Sequence, residues 1–98
     1  MHTAFIRLKV AADVADRAAA AMPALAAATK TEPGCHTYEF YRDLDDPTLF
    51  HCFEHWTTRQ ALDDHGTTPH VTAFLTEFGP AIELWESNHA TAVPAETN

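Results

Sequence analysis

Residues 32–56 read EPGCHTYEFYRDLDDPTLFHCFEHW, and the fold is decided here. Glu32-Pro33-Gly34 breaks any helix before it, because proline lacks the amide donor and glycine supplies the freedom a turn needs. From Cys35 to Tyr41 the residues are largely β-branched or aromatic. Asp43 to Pro47 is dense in turn formers, and Leu49 to Trp56 returns as a second strand. The pattern predicts an antiparallel hairpin whose side chains alternate between faces. Phe50, Cys52, Glu54 and Trp56 share one face of the second arm, and Leu49, His51, Phe53 and His55 share the other. Both faces mix apolar and polar groups, which predicts cover on both sides, one of them from a second subunit.

Outward from the hairpin, residues 3–10 alternate. Ala4, Ile6, Leu8 and Val10 line an apolar face, and Phe5, Arg7 and Lys9 line the other. Asp13 reads as an N-cap for an alanine-rich helix with Val14, Ala18, Met22 and Leu25 on its stripe. Pro23 falls inside that helix and predicts a kink. After the hairpin, Thr57 to Gln60 starts a short helix that is interrupted at Gly66. Thr68-Pro69 restarts it, and Gly79-Pro80 ends it. Val71, Phe74, Leu75 and Phe78 form the buried stripe of the second piece. Ala81 to Glu86 alternates as a fourth strand. The order β-α-β-β-α-β is the ferredoxin-like α+β arrangement, one antiparallel sheet with its helices on one face. The bare face predicts a homodimer. The expected domain spans residues 1–87, with a polar tail over residues 88–98.

The 98 residues suit a single core. Six basic against fourteen acidic side chains give a net charge of −8, which opposes nucleic acid and anionic membrane surfaces as partners. No apolar run approaches the roughly 20 residues that span a bilayer. The N-terminus enters a strand pattern directly, so the expected location is cytoplasmic. Cys35 and Cys52 do not face each other in the expected register and read as free thiols. His36, His51 and His55 lack a nearby acidic ligand in metal-site spacing, so no metal is expected there.

Four motifs together carry a family resemblance: E-P-G-C-x-x-Y at residues 32–38, D-D-P at 45–47, F-x-x-x-E-x-W at 50–56 and H-G-T-T-P-H at 65–70. From about Ile6 to Pro80 the chain resembles the antibiotic biosynthesis monooxygenase family. The resemblance implies a dimeric α+β barrel with a pocket between sheet and helices in each subunit. It also implies one of several activities: cofactor-independent oxygenation of anthrones or hydroquinones, haem degradation, or isomerisation of a phosphorylated autoinducer sugar. The haem-degrading signature asks for an asparagine, a tryptophan and an iron-ligating histidine where this chain has Ile6, His65 and Leu75. That branch is set aside.

Oxygenation without metal or flavin requires that the substrate become an electron-rich anion, so the protein has to remove a proton and hold an oxyanion in a dry pocket. His65, at the helix break, is the candidate base, with a capping imidazole as the alternative. His70, Trp56, Tyr38 and Phe74 are the candidate substrate-binding residues. His70 sits at a helix start that favours its neutral form, and Trp56 and Tyr38 join a flat apolar body to a polar tip. Glu54, on the face of Trp56, is expected to pair with Arg7 or Lys9. The leading expectation is a small dimeric oxygenase that uses molecular oxygen on a phenol, anthrone or hydroquinone with no cofactor. A proton-shuttling isomerase and a non-catalytic ligand-binding module remain open beside it.

Overall fold

A computed structural model describes residues 1–96. Its elements are β1 His2–Val10, α1 Ala15–Thr29, β2 Cys35–Arg42, β3 Leu49–Trp56, α2 Arg59–His65, α3 Pro69–Phe78 and β4 Ile82–Ala90. The strands form one antiparallel sheet in the order β2-β3-β1-β4, the ferredoxin-like α+β topology.

Alternation decides which face is covered. Ala4, Leu8, Val10, Phe50, Cys52 and Trp56 are buried against the helices, with Tyr38 beside them. The cross-strand pairs Leu8↔Phe50, Ile6↔Cys52 and Ala4↔Glu54 keep these side chains in register. Two apolar clusters result. One joins Leu8, Val10 and Phe50 to Ala18, Met22, Leu25, Phe74 and Phe78, and the other joins Ala4, Ile6, Tyr38, Cys52 and Trp56. Burying each large side chain such as Phe50 or Phe78 stabilises the fold by about 1.5–3 kcal/mol.

Gly34 shapes the entry to the hairpin. It has a positive φ of 82°, and a Cβ there would lie 2.8 Å from the Ala61 side chain. Its carbonyl accepts the Thr57 amide at 2.8 Å, which ties the start of β2 to the exit of β3. The loop between the strands is held by Asp43, whose carboxylate accepts the Asp45 and Asp46 amides, and by Asp46, which accepts Thr48 and Lys9. The lysine ammonium beside Asp46 holds that carboxyl well below its ordinary range.

Several expectations need correction. Asp13 does not cap α1: a 3-10 turn over Ala12–Val14 leads in, and Val14 occupies the cap position with no side-chain bond. Glu54 pairs with neither Arg7 nor Lys9. Those two lie on the opposite face and bind Glu86 at 2.9 Å and Asp46 at 2.7 Å. The fourth strand does not stop at Glu86, because Asn88, His89 and Ala90 continue the ladder on β1. Backbone pairing extends β4 there although its side chains are exposed. Residues 91–96 have no regular structure, and the last two residues of the expected tail lie outside the described residues.

The other sheet face carries Phe5 at 47% exposure, with its ring 5.2 Å from that of Phe53. No helix of the described chain is long and apolar enough to cross a membrane.

Candidate active site

A cavity of about 210 Å³ lies between the sheet and the α2–α3 pair. Ile6, Leu8, Phe40 and Phe50 form its floor, and Leu62, Val71 and Phe74 form its roof. Its polar lining residues include His65, Tyr38, Cys52 and Glu54, with His51, Ser87 and His89 also on its wall, and Trp85 stands half-exposed among them.

His65 ends α2, where the chain turns into α3. Its carbonyl accepts the Thr68 hydroxyl at 2.8 Å and the Thr68 amide at 3.2 Å, so the junction is fastened rather than loose. Thr68 thus spends its hydroxyl on the turn and makes no side-chain cap to α3, which starts on Pro69. The imidazole is buried, with ring centroids 5.2 Å from Tyr38 and 5.1 Å from Trp56.

The same ring meets the carboxylate of Glu32, the residue that opens the Glu32-Pro33-Gly34 break. Glu32 Oε2 lies 2.8 Å from His65 Nδ1 and 2.7 Å from His70 Nε2. An ionised carboxylate only accepts, so both nitrogens carry the proton. In a neutral His65 ring this is the Nδ1–H tautomer, whose lone pair is on Nε2. Glu32 is 33 residues before His65 and 38 before His70, and only the folded chain brings the three together.

Glu54 is buried on the cavity wall, and its Oε1 accepts the Trp56 indole N–H at 2.9 Å. Burial holds its carboxyl above the ordinary carboxylate value; the Trp56 bond and the nearby His65 oppose that rise. Burial likewise pushes up the Tyr38 phenol and the Cys52 thiol. At neutral pH both remain protonated donors.

Of the residues singled out from sequence, His65, Tyr38 and Phe74 meet at the cavity. Trp56 stands behind the wall, fully buried, where it packs on His65 and holds Glu54. His70 faces Glu32 and borders a separate shallow groove with Ala21 and Phe74. The imidazole of His36 bonds Thr57, and that of His51, a cavity-lining residue, bonds Asp43. Among the described residues, the three groups whose donor atoms approach one another as metal ligands would are Glu32, His65 and His70, all within 4.8 Å. Both cysteines are free.

A ferredoxin-like sheet thus carries, under its helices, an apolar cavity lined by the His65 imidazole and the buried Glu54 carboxyl. The chain belongs to the antibiotic biosynthesis monooxygenase family, whose profile matches residues 1–77. It is similar to an uncharacterized protein of Synechocystis sp., 43% identical over 47 residues, covering 48% of this chain and 32% of that protein. A Mycobacterium tuberculosis protein provisionally named a monooxygenase is 33% identical over 60 residues, covering 61% of this chain and 58% of that one. The match thus spans about a third of the first relative's length and somewhat over half of the second's. A crystal structure of an antibiotic biosynthesis monooxygenase superposes with a TM-score of 0.89 at 26% identity, covering 96% of this chain and 100% of that one.

Proposed function

We propose that the protein is a monooxygenase that oxidises an aromatic phenol, anthrone or hydroquinone with molecular oxygen, with His65 as the base. The observation that carries this reading is the Glu32-held imidazole on an apolar cavity. Its Nδ1–H is fixed on Glu32 at 2.8 Å, and its free Nε2 is the acceptor.

His65 removes a proton from the substrate hydroxyl or activated CH₂, and the phenol of Tyr38 donates to the resulting oxyanion. The anion gives one electron to oxygen, and the radical pair joins as a peroxide at carbon. Breaking the O–O bond leaves one oxygen as a carbonyl and releases the other as water. For an anthrone, CH₂ plus O₂ becomes C=O plus H₂O. All the electrons come from the substrate, so the reaction draws on no external reductant or bound cofactor. The Glu54 carboxyl, biased toward its neutral form by burial, is placed to return a proton to the departing oxygen. The apolar floor of Ile6, Leu8 and Phe50 and the roof of Phe74 suit a flat aromatic substrate.

A second reading, a proton-shuttling isomerase of a small carbonyl compound, uses His65 and Glu54 without oxygen. Among the described residues the cavity lining contains no lysine or arginine, which disfavours a phosphorylated substrate. We further propose that the protein works as a homodimer, with the Phe5 and Phe53 face covered by a second copy. Oxygen consumption under substrate, with His65→Ala beside the wild type, tests the oxygenase. Turnover that persists unchanged without oxygen would move the isomerase ahead.

A further inference from the structure

We propose that Glu32, His65 and His70 form a binding site for a late first-row divalent cation such as Zn²⁺, and that its occupancy excludes His65 from acting as a base. The donor set is two imidazole nitrogens and one carboxylate, which suits a borderline cation and not Mg²⁺ or Ca²⁺. The donor atoms lie within 4.8 Å of one another, and Glu32 Oε2 is 2.8 and 2.7 Å from the two nitrogens. Bonds of about 2.1 Å in a tetrahedral site put donors roughly 3.4 Å apart. The carboxylate therefore has to withdraw by about 0.6–0.7 Å from the two nitrogens, and the nitrogens, within 4.8 Å of each other, have to settle at that same spacing, adjustments on the scale of side-chain rotation.

The scaffold is already ordered. His65 is wedged between Tyr38 and Trp56, the junction to His70 is fastened through Thr68, and the Glu32 side chain is 10% exposed. His70, 25% exposed, leaves a solvent path for the ion and room for a fourth ligand.

The exclusion follows from the tautomers. A cation on His65 Nδ1 takes the place of that proton, and the neutral ring then carries its hydrogen on Nε2. The same nitrogen that accepts a substrate proton in the free protein becomes a donor. His70 shifts its proton to Nδ1 in the same way. Glu32 supports His65 as a base by accepting its N–H, and supports the cation by accepting it instead. This second part rests on the proposed role of His65, whereas binding of the cation does not.

The test is Zn²⁺ titration of the full chain by calorimetry, with Co²⁺ as the spectroscopic probe of a four-coordinate site. The expected result is one ion per chain, with affinity falling at least about tenfold in Glu32→Gln and in His70→Ala. Affinity in His2→Ala stays that of the wild type, which separates the site from the exposed His2–His89 pair. Circular dichroism checks each variant's fold, and His70, only partly buried, gives a second variant if Glu32→Gln unfolds. Binding that is absent, or unchanged in both Glu32→Gln and His70→Ala, overturns the site. Zn²⁺ bound there without suppressing base-dependent oxygen uptake overturns the exclusion. Loss of uptake in His65→Ala, in a protein that binds no Zn²⁺, refutes the cation site and leaves the oxygenase reading standing.

Discussion

Replacing Glu32 by alanine removes the acceptor shared by two imidazoles, and the consequences for the two rings differ. His65 is 8% exposed, so its Nδ1–H loses a charge-assisted bond and finds little water in exchange. Such a bond is worth about 1.5–3 kcal/mol. His70, 25% exposed in its side chain, can turn its Nε2–H to solvent and loses about 1 kcal/mol or less. Removing a carboxylate that is itself 10% exposed returns part of the loss, because its desolvation is relieved. The net expectation is a destabilisation of about 2–3 kcal/mol. For a domain of this size that lowers the melting temperature by roughly 10–20 °C. Glu32→Gln keeps the shape and one acceptor, and should lose about half as much. Urea unfolding at fixed protein concentration measures both variants. A double-mutant cycle with His65→Ala should give a coupling of about 1.5 kcal/mol. Additive effects, or a Glu32→Ala variant within about 0.5 kcal/mol of the wild type, would refute the assigned bonding.

Gly34→Ala should cost about 2–3 kcal/mol by urea unfolding, from the positive φ of 82° and a Cβ placed 2.8 Å from Ala61. Trp56→Phe keeps the apolar body but removes the indole donor from Glu54, and should destabilise by roughly 1–3 kcal/mol in the same assay. Glu54 has a folded-state pKa raised by burial, so its contribution to stability is fully present below the ordinary 4.5 and is lost as pH rises through the folded value. Glu54→Gln should therefore gain stability over the wild type as pH rises above 4.5, read as diverging urea midpoints; midpoints that run parallel with pH contradict the shift.

The hairpin was legible because a period of two over Leu49 to Trp56 leaves one assignment of faces, and burial follows that alternation residue by residue. The same parity could have ruled out a Glu54 pair with Arg7 or Lys9, since the cross-strand neighbour of Glu54 is Ala4. Glu54 and Trp56, two apart on one strand, form a contact that sequence spacing allows directly. The role of Glu32 is not legible in the sequence because its partners are 33 and 38 residues away and its place before Pro33-Gly34 suggests only a turn. Residues 88–90 read as tail because their side chains are polar or small. Their structure comes from main-chain bonds to β1, which side-chain pattern does not report. The break at Gly66 is legible in the sequence, while the Thr68 bonds that fasten the junction join residues whose spacing alone suggests a loose one.

The most direct measurement is oxygen uptake by metal-stripped protein across a panel of anthrones and hydroquinones, with wild type and His65→Ala side by side. Uptake well above the protein-free rate, falling by about 10²–10⁴ in the variant, is the predicted result. Uptake no faster with protein than without it across the panel, or uptake that His65→Ala leaves unchanged, would contradict the assignment of His65 as the base of a monooxygenase.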